Sequence, residues 1–212
     1  MKHTFFYLLA VSVWLAAAPS RAADGWISMF DGKTLSGWKS NEETPGCFTV
    51  EDGKLKVSGG RAHLFYVGAD GKAKFKNFEF KAKVMTTPGS NSGIYFHTEF
   101  QEKGWPAKGY ECQVNTTHKD PKKTGGIYAI QDVMNDAPSK DNEWCDYYIK
   151  VQGKRILVQI NGKTTADWTE PDDWQPPKNM PGRRIAEGTF CLQGHDPKST
   201  VYYKDIMVRP LP

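Results

Sequence analysis

Gly109-Tyr110-Glu111-Cys112-Gln113-Val114-Asn115 reads as a β-strand whose two faces suit different surroundings. Side chains alternate along a strand, so Tyr110, Cys112 and Val114 point one way and Glu111, Gln113 and Asn115 the other. The first set can join a core. The second is a carboxylate followed by two amides, costly to bury in oil and suited to gripping a polyhydroxylated ligand. The stretch therefore predicts a sheet with one apolar face and one face that floors a polar cleft.

Working outward, strand alternation dominates and helical periodicity is nearly absent. Strands are expected at Trp26–Phe30, Phe48–Val50, Lys54–Val57, His63–Val67, Phe75–Thr86, Asn91–Phe100, Gly126–Gln131, Trp144–Val151, Arg155–Ile160, Phe190–Gln193 and Val201–Arg209. In the longest, Phe78, Phe80, Ala82 and Val84 alternate with Glu79, Lys81 and Lys83, the pattern of a half-wetted strand. Asp52-Gly53 and Asn161-Gly162 are tight-turn signals. A dozen or so turn-punctuated strands predict an all-β, two-sheet antiparallel sandwich of jelly-roll type. The Asp167–Arg184 stretch, rich in proline, reads as a long loop. Loops of that length in compact domains are usually functional or disordered. Trp105, Trp168 and Trp174 fall on such loops, where they either stack on a sugar ring or plug the ends of the sandwich.

The N-terminus has a different character. A basic start, an apolar run from Phe5 to Ala18 and the small residues Ser20 and Ala22 describe a secretory signal peptide, residues 1–22, cut after Ala22. The run is short for a bilayer span, so no membrane association is expected after cleavage. Residues 23–212 are then expected to form a single domain, periplasmic or secreted. Cleavage removes Lys2 and Arg21 and takes the formal charge from +4 to +2, too little for electrostatic nucleic-acid binding. Cys47, Cys112, Cys145 and Cys191 are widely spaced with no Cys-x-x-Cys, so a zinc site of that kind has no support. Export permits disulfides, but four cysteines leave three full pairings open, and free buried thiols equally.

Among groups able to do chemistry, Glu111 shares its face with Gln113 and Asn115. His118 and His195 each sit just after an expected strand, where a rigid scaffold can hold a proton-exchanging group. Tyr95 and His97, in and after the Asn91-Ser92-Gly93-Ile94-Tyr95-Phe96 run, are expected to contact substrate, as are Trp105 and Glu143. No Gly-x-Ser-x-Gly elbow, Walker loop or His-Glu-x-x-His motif occurs. A glucanase strand with Glu-x-Asp-x-x-Glu spacing is also missing, since Gln113 and Thr116 occupy those places, which disfavours two-carboxylate hydrolysis. No cofactor is required, although the Glu, Asp and His donors could take a divalent metal.

Several blocks, in order, resemble the 3-keto-disaccharide hydrolase domain family. They are Met29-Phe30-Asp31-Gly32-Lys33-Thr34-Leu35-Ser36-Gly37-Trp38, the Asn91–Phe96 run, Gly109–Gln113, Gly125-Gly126-Ile127-Tyr128, Glu143-Trp144, Asn161-Gly162, Leu192-Gln193-Gly194-His195 and Tyr203-Lys204-Asp205-Ile206. His97, Cys145 and Asp196 stand where that family usually shows Arg, Asn and Gly. The resemblance implies a concanavalin A-like jelly roll and an oxidised oligosaccharide or glycoside as substrate. A 3-keto sugar can lose the proton on carbon 2 and expel its aglycone from carbon 1, after which water adds. Such chemistry needs a base, a partner for the enolate oxygen and an acid. Glu111 or His195 is expected as base, with His118 and Gln113 orienting or polarising. A non-catalytic, lectin-like carbohydrate-binding module would use the same polar row.

Overall fold

The computed structural model describes residues 24–212, and the expected export signal at residues 1–22 lies outside them. Fifteen strands follow one another: β1 (Ile27–Ser28), β2 (Trp38–Ser40), β3 (Phe48–Glu51), β4 (Lys54–Ser58), β5 (Ala62–Tyr66), β6 (Phe78–Thr86), β7 (Asn91–Thr98) and β8 (Tyr110–Asn115). The chain continues with β9 (Lys122–Ile127), β10 (Gln131–Met134), β11 (Cys145–Gln152), β12 (Arg155–Ile160), β13 (Lys163–Thr169), β14 (Thr189–Gly194) and β15 (Thr200–Pro210). No helix occurs among the described residues, and so none that is long and apolar enough to cross a membrane.

The strands form two antiparallel sheets packed face to face, the jelly-roll sandwich expected. One runs β13-β12-β11-β6-β15-β4-β3, with β1 also on β15; the other runs β10-β9-β8-β7-β14-β5-β2. The alternation of β6 is obeyed: Phe78, Phe80, Ala82 and Val84 are buried, and the residues between them are half-wetted. Phe190 of β14 packs on Phe78 and Phe80 with ring centroids 4.8 and 5.0 Å apart. Each such ring contributes roughly 1.5–3 kcal/mol by leaving water. Two tyrosines tie the sheets together without leaving a polar atom stranded. Tyr147 donates to the Gln113 carbonyl at 3.0 Å, and the Tyr203 hydroxyl lies 2.8 Å from that of Ser92. The four cysteines are buried free thiols, and burial pushes Cys47 and Cys145 up to about 11.

Two expectations are corrected, and one left open is decided. The strand expected at Gly126–Gln131 is two strands, β9 and β10, joined through Ala129 at φ 60°. Its earlier start at Lys122 escapes a pattern reading because Lys123 is buried, its ammonium donating to the His118 carbonyl at 2.7 Å. The long loop from Asp167 begins later than expected, since β13 runs to Thr169 after the Asn161-Gly162 turn. Trp168 and Trp174 do not reach the cleft. They pack on each other at 5.0 Å, with Trp168 against Tyr110, and buttress the loop that follows.

Candidate active site

The second sheet turns Tyr110, Cys112 and Val114 of β8 into the core, as their alternation demands. Its outer face carries the polar set. Register places Glu111 beside Tyr95, Gln113 beside Gly93 and Asn115 beside Asn91. Tyr95 faces Cys191 of β14 on its other side, and Gln193 of β14 faces His63 of β5. Loops close over this face to leave a cavity of about 540 Å³, bordered by Asn91, Tyr95, Trp105, Glu111, Gln113, Tyr128, Arg183, Gln193 and His195. That size suits a sugar or disaccharide. Gly93 is required in the floor, because a Cβ there would lie 2.5 Å from Glu111 Oε1.

Glu111 is buried and fully engaged. Arg183 Nη2 donates to Oε2 at 3.2 Å and Gln193 Nε2 donates to Oε1 at 2.9 Å. The same Gln193 nitrogen donates to the Tyr95 hydroxyl at 3.0 Å, and the Arg183 guanidinium lies over the Tyr95 ring. Burial, and then the Glu111 charge, push the Tyr95 phenol well above its ordinary value, so it remains protonated. Arg183 arrives from the proline-rich loop. Its carbonyl accepts from Trp174 Nε1 at 2.8 Å and Tyr110 OH at 3.1 Å, while its Nη1 donates to the Gly109 carbonyl at 3.1 Å. A buried pair of this kind does not add much stability, but removing one partner strands the other charge.

At the other side of the cavity Asp196 stands between two imidazoles. Its Oδ2 is 3.0 Å from His195 Nδ1, 3.8 Å from His118 Nε2, and accepts from Ser199 Oγ at 2.6 Å. Burial opposes ionisation of Asp196, yet the bonds from Ser199, His195 and the Lys198 amide hold its carboxyl below the usual range. The proton positions follow from the surrounding donors. The Asp120 amide donates to His118 Nδ1 at 3.2 Å, so neutral His118 carries its proton on Nε2, facing Asp196. Asn91 Oδ1 accepts from Gln113 at 3.2 Å, which turns Asn91 Nδ2 toward His195 Nε2 at 3.3 Å. His195 then carries its proton on Nδ1, facing Asp196, and keeps a lone pair on Nε2. Burial and the neighbouring His195 lower the His118 imidazole, against the pull of Asp196.

His118, His195 and Asp196 can each offer a ligand atom within 4.8 Å of the others. The donors around them fit protons better than a cation. A metal on His118 Nε2 would leave Nδ1 protonated against the Asp120 amide, whereas a ligating histidine normally donates its other N–H to an acceptor.

The structure brings Glu111, Gln113, Tyr95, Trp105 and His195 to the cavity. His118 stands behind it, against Asp196, Asn91 and the His195 ring. Asn115 lies on the expected face but is fully buried, its amide donating to the Asp120 and Lys122 carbonyls, so it shapes the His118 loop. Two expectations are corrected. His97 has φ 56°, which breaks the strand alternation and turns its ring away from the cavity, with Nε2 on the Lys76 carbonyl and Nδ1 on the Ala186 amide. Glu143 is exposed beside Lys140, away from the cavity. Sequence reading missed Asn91, Gln193, Asp196 and Arg183 as site residues. Counting back in twos, from Tyr95 through Gly93 and from His195, would have found Asn91 and Gln193. Arg183 leaves no local signal, because its partner Glu111 is 72 residues away.

A family model described as a 3-keto-alpha-glucoside-1,2-lyase-like domain matches residues 25–209. The chain belongs to this family. A 3-keto-disaccharide hydrolase of Bacteroides thetaiotaomicron is 39% identical over 80 residues, which is 35% of this chain and 28% of the relative's length. A candidate glycosyl hydrolase from Parabacteroides distasonis, solved by crystallography, superposes with a TM-score of 0.76 at 24% identity, covering 90% of this chain and 95% of that one. The carbohydrate-binding module CBM66 of Bacillus subtilis superposes at 0.54 with 14% identity, covering 82% and 96%. The lyase-like family thus shares its sandwich with a binding module, and the fold alone does not assign activity.

Proposed function

We propose that this family member is an exported enzyme that cleaves the glycosidic bond of 3-keto-glycosides by elimination and hydration. The observation that carries this reading is the Asp196–His195 pair, which leaves the unprotonated Nε2 of His195, met by Asn91 Nδ2 at 3.3 Å, beside a cavity that also holds a buried guanidinium. His195 Nε2 takes the proton from carbon 2, while Asp196 stabilises the imidazolium that forms. The electron pair moves onto the ketone oxygen, where Arg183 and the protonated Tyr95 face developing negative charge. The enolate then expels the aglycone from carbon 1, and the imidazolium returns its proton to the leaving oxygen. Water adds to carbon 1 of the enone and a proton returns to carbon 2, so the sum is hydrolysis. Glu111 is the fixed counter-charge that holds Arg183 rather than the base. The basic start and short apolar run within residues 1–22, read as an export signal, support an activity outside the cytoplasm.

Incubating the mature protein with 3-keto-trehalose and following sugar release tests the reading. His195→Ala should lower turnover by about a hundredfold or more. Undiminished turnover in that variant would contradict the assignment. Tight binding of unoxidised glycans with no turnover of keto sugars would favour a binding module.

A further inference from the structure

His63 is fully buried on β5, and neither ring nitrogen has a hydrogen-bond partner among the described residues. An imidazole sealed off in this way is costly, and such exceptions call for a reason. Burial drives it down to about 4, so it stays neutral. Register supplies the reason. His63 pairs with Gln193 on β14, and Gly93 pairs with Gln113 on β8, so one polar row crosses the outer face of the sheet. With strands about 4.8 Å apart, His63 stands roughly 14 Å from Gln113, long enough for two sugar rings laid end to end.

One side chain closes the His63 end of that row. Trp105 stands edge-on over His63 with centroids 5.5 Å apart, leans on His195 at the same distance, and is 45% exposed. Its loop is latched by one carboxylate: Glu43 accepts from the Gly104 amide at 2.9 Å and from Arg61 at 2.7 Å. Arg61 stacks on the indole, and the side of the indole away from His63 and His195 is partly open to water. An exposed tryptophan above an unpartnered imidazole has the makings of a sugar site, with an apolar platform for a ring face and a donor–acceptor pair for hydroxyls.

We propose that the cleft extends beneath Trp105 into a second sugar subsite floored by His63, which takes the ring on the leaving-group side of a disaccharide once the indole lifts. The subsite rests on the glycoside reading above and adds the preference for a disaccharide over a small aglycone. The test compares kcat/KM for 3-keto-trehalose with that for methyl 3-keto-glucoside. The ratio should fall about tenfold or more in His63→Phe and Trp105→Ala, and recover in part in His63→Gln, with thermal midpoints recorded for each. A purely structural His63 would leave the ratio unchanged in His63→Phe and raise the midpoint, and an unchanged ratio in all three variants overturns the subsite. If wild type turns over neither keto sugar, the hydrolytic reading fails separately, and calorimetry with unoxidised trehalose and methyl glucoside judges the subsite. Tighter binding of trehalose that His63→Phe abolishes would uphold it, and equal or absent binding would overturn it.

Discussion

Asp196 gives His195 its orientation through the 3.0 Å contact between its Oδ2 and His195 Nδ1. Replacing it with Asn keeps the shape but removes the charge that stabilises an imidazolium. Asp196→Asn should therefore lower kcat by about tenfold or more with KM little changed, as steady-state kinetics would show. Because the Asp120 amide points at His118 Nδ1, the cluster should work without a metal, and EDTA should leave turnover intact. Loss of activity that zinc or manganese restores would contradict that. Glu111 and Arg183 make the third residue-scale case. Glu111→Gln strands a buried guanidinium and should destabilise the fold by about 3 kcal/mol, with Arg183→Met on that background recovering part of the loss. Denaturant midpoints measure both.

At the scale of elements, β8 and β6 were legible because each buries one face completely, and period-two patterning is then the whole signal. The strand expected at Asn91–Phe100 forms as far as Thr98, and its alternation of faces runs to Phe96. The alternation fails at His97, where a positive φ flips the side chain and no composition rule announces it. The site was half-legible for the same reason. Glu111, Gln113 and His195 obey strand arithmetic, whereas Arg183 reaches Glu111 from a loop whose path depends on Trp168, Trp174 and Tyr110 packing together. The floor strand offers a sharp check. Gly93→Ala puts a methyl group where the Glu111 carboxylate sits, so activity should fall by about a hundredfold while circular dichroism still reports a folded sandwich. Full activity in this variant would mean that the carboxylate need not stay in place.

At the scale of the whole molecule, two buried neutral histidines tie stability to pH. Burial holds both His63 and His97 at about 4, below the ordinary value of 6.5. The unfolded chain then binds more protons than the folded one between those limits. Their contribution is complete above pH 6.5 and is lost progressively as pH falls toward 4, by about 3 kcal/mol for each histidine. Urea midpoints at pH 7 and 4.5 should show this decline, and His63→Phe should reduce it. The central claim concerns the proton on carbon 2, because direct displacement at carbon 1 never touches it. Cleavage of methyl 3-keto-glucoside in heavy water, followed by mass and NMR analysis of early product, tests it most directly. Elimination and hydration through His195 predict deuterium at carbon 2 of every released sugar, with release lost in His195→Ala. Released sugar that keeps its original hydrogen at carbon 2 would contradict the account.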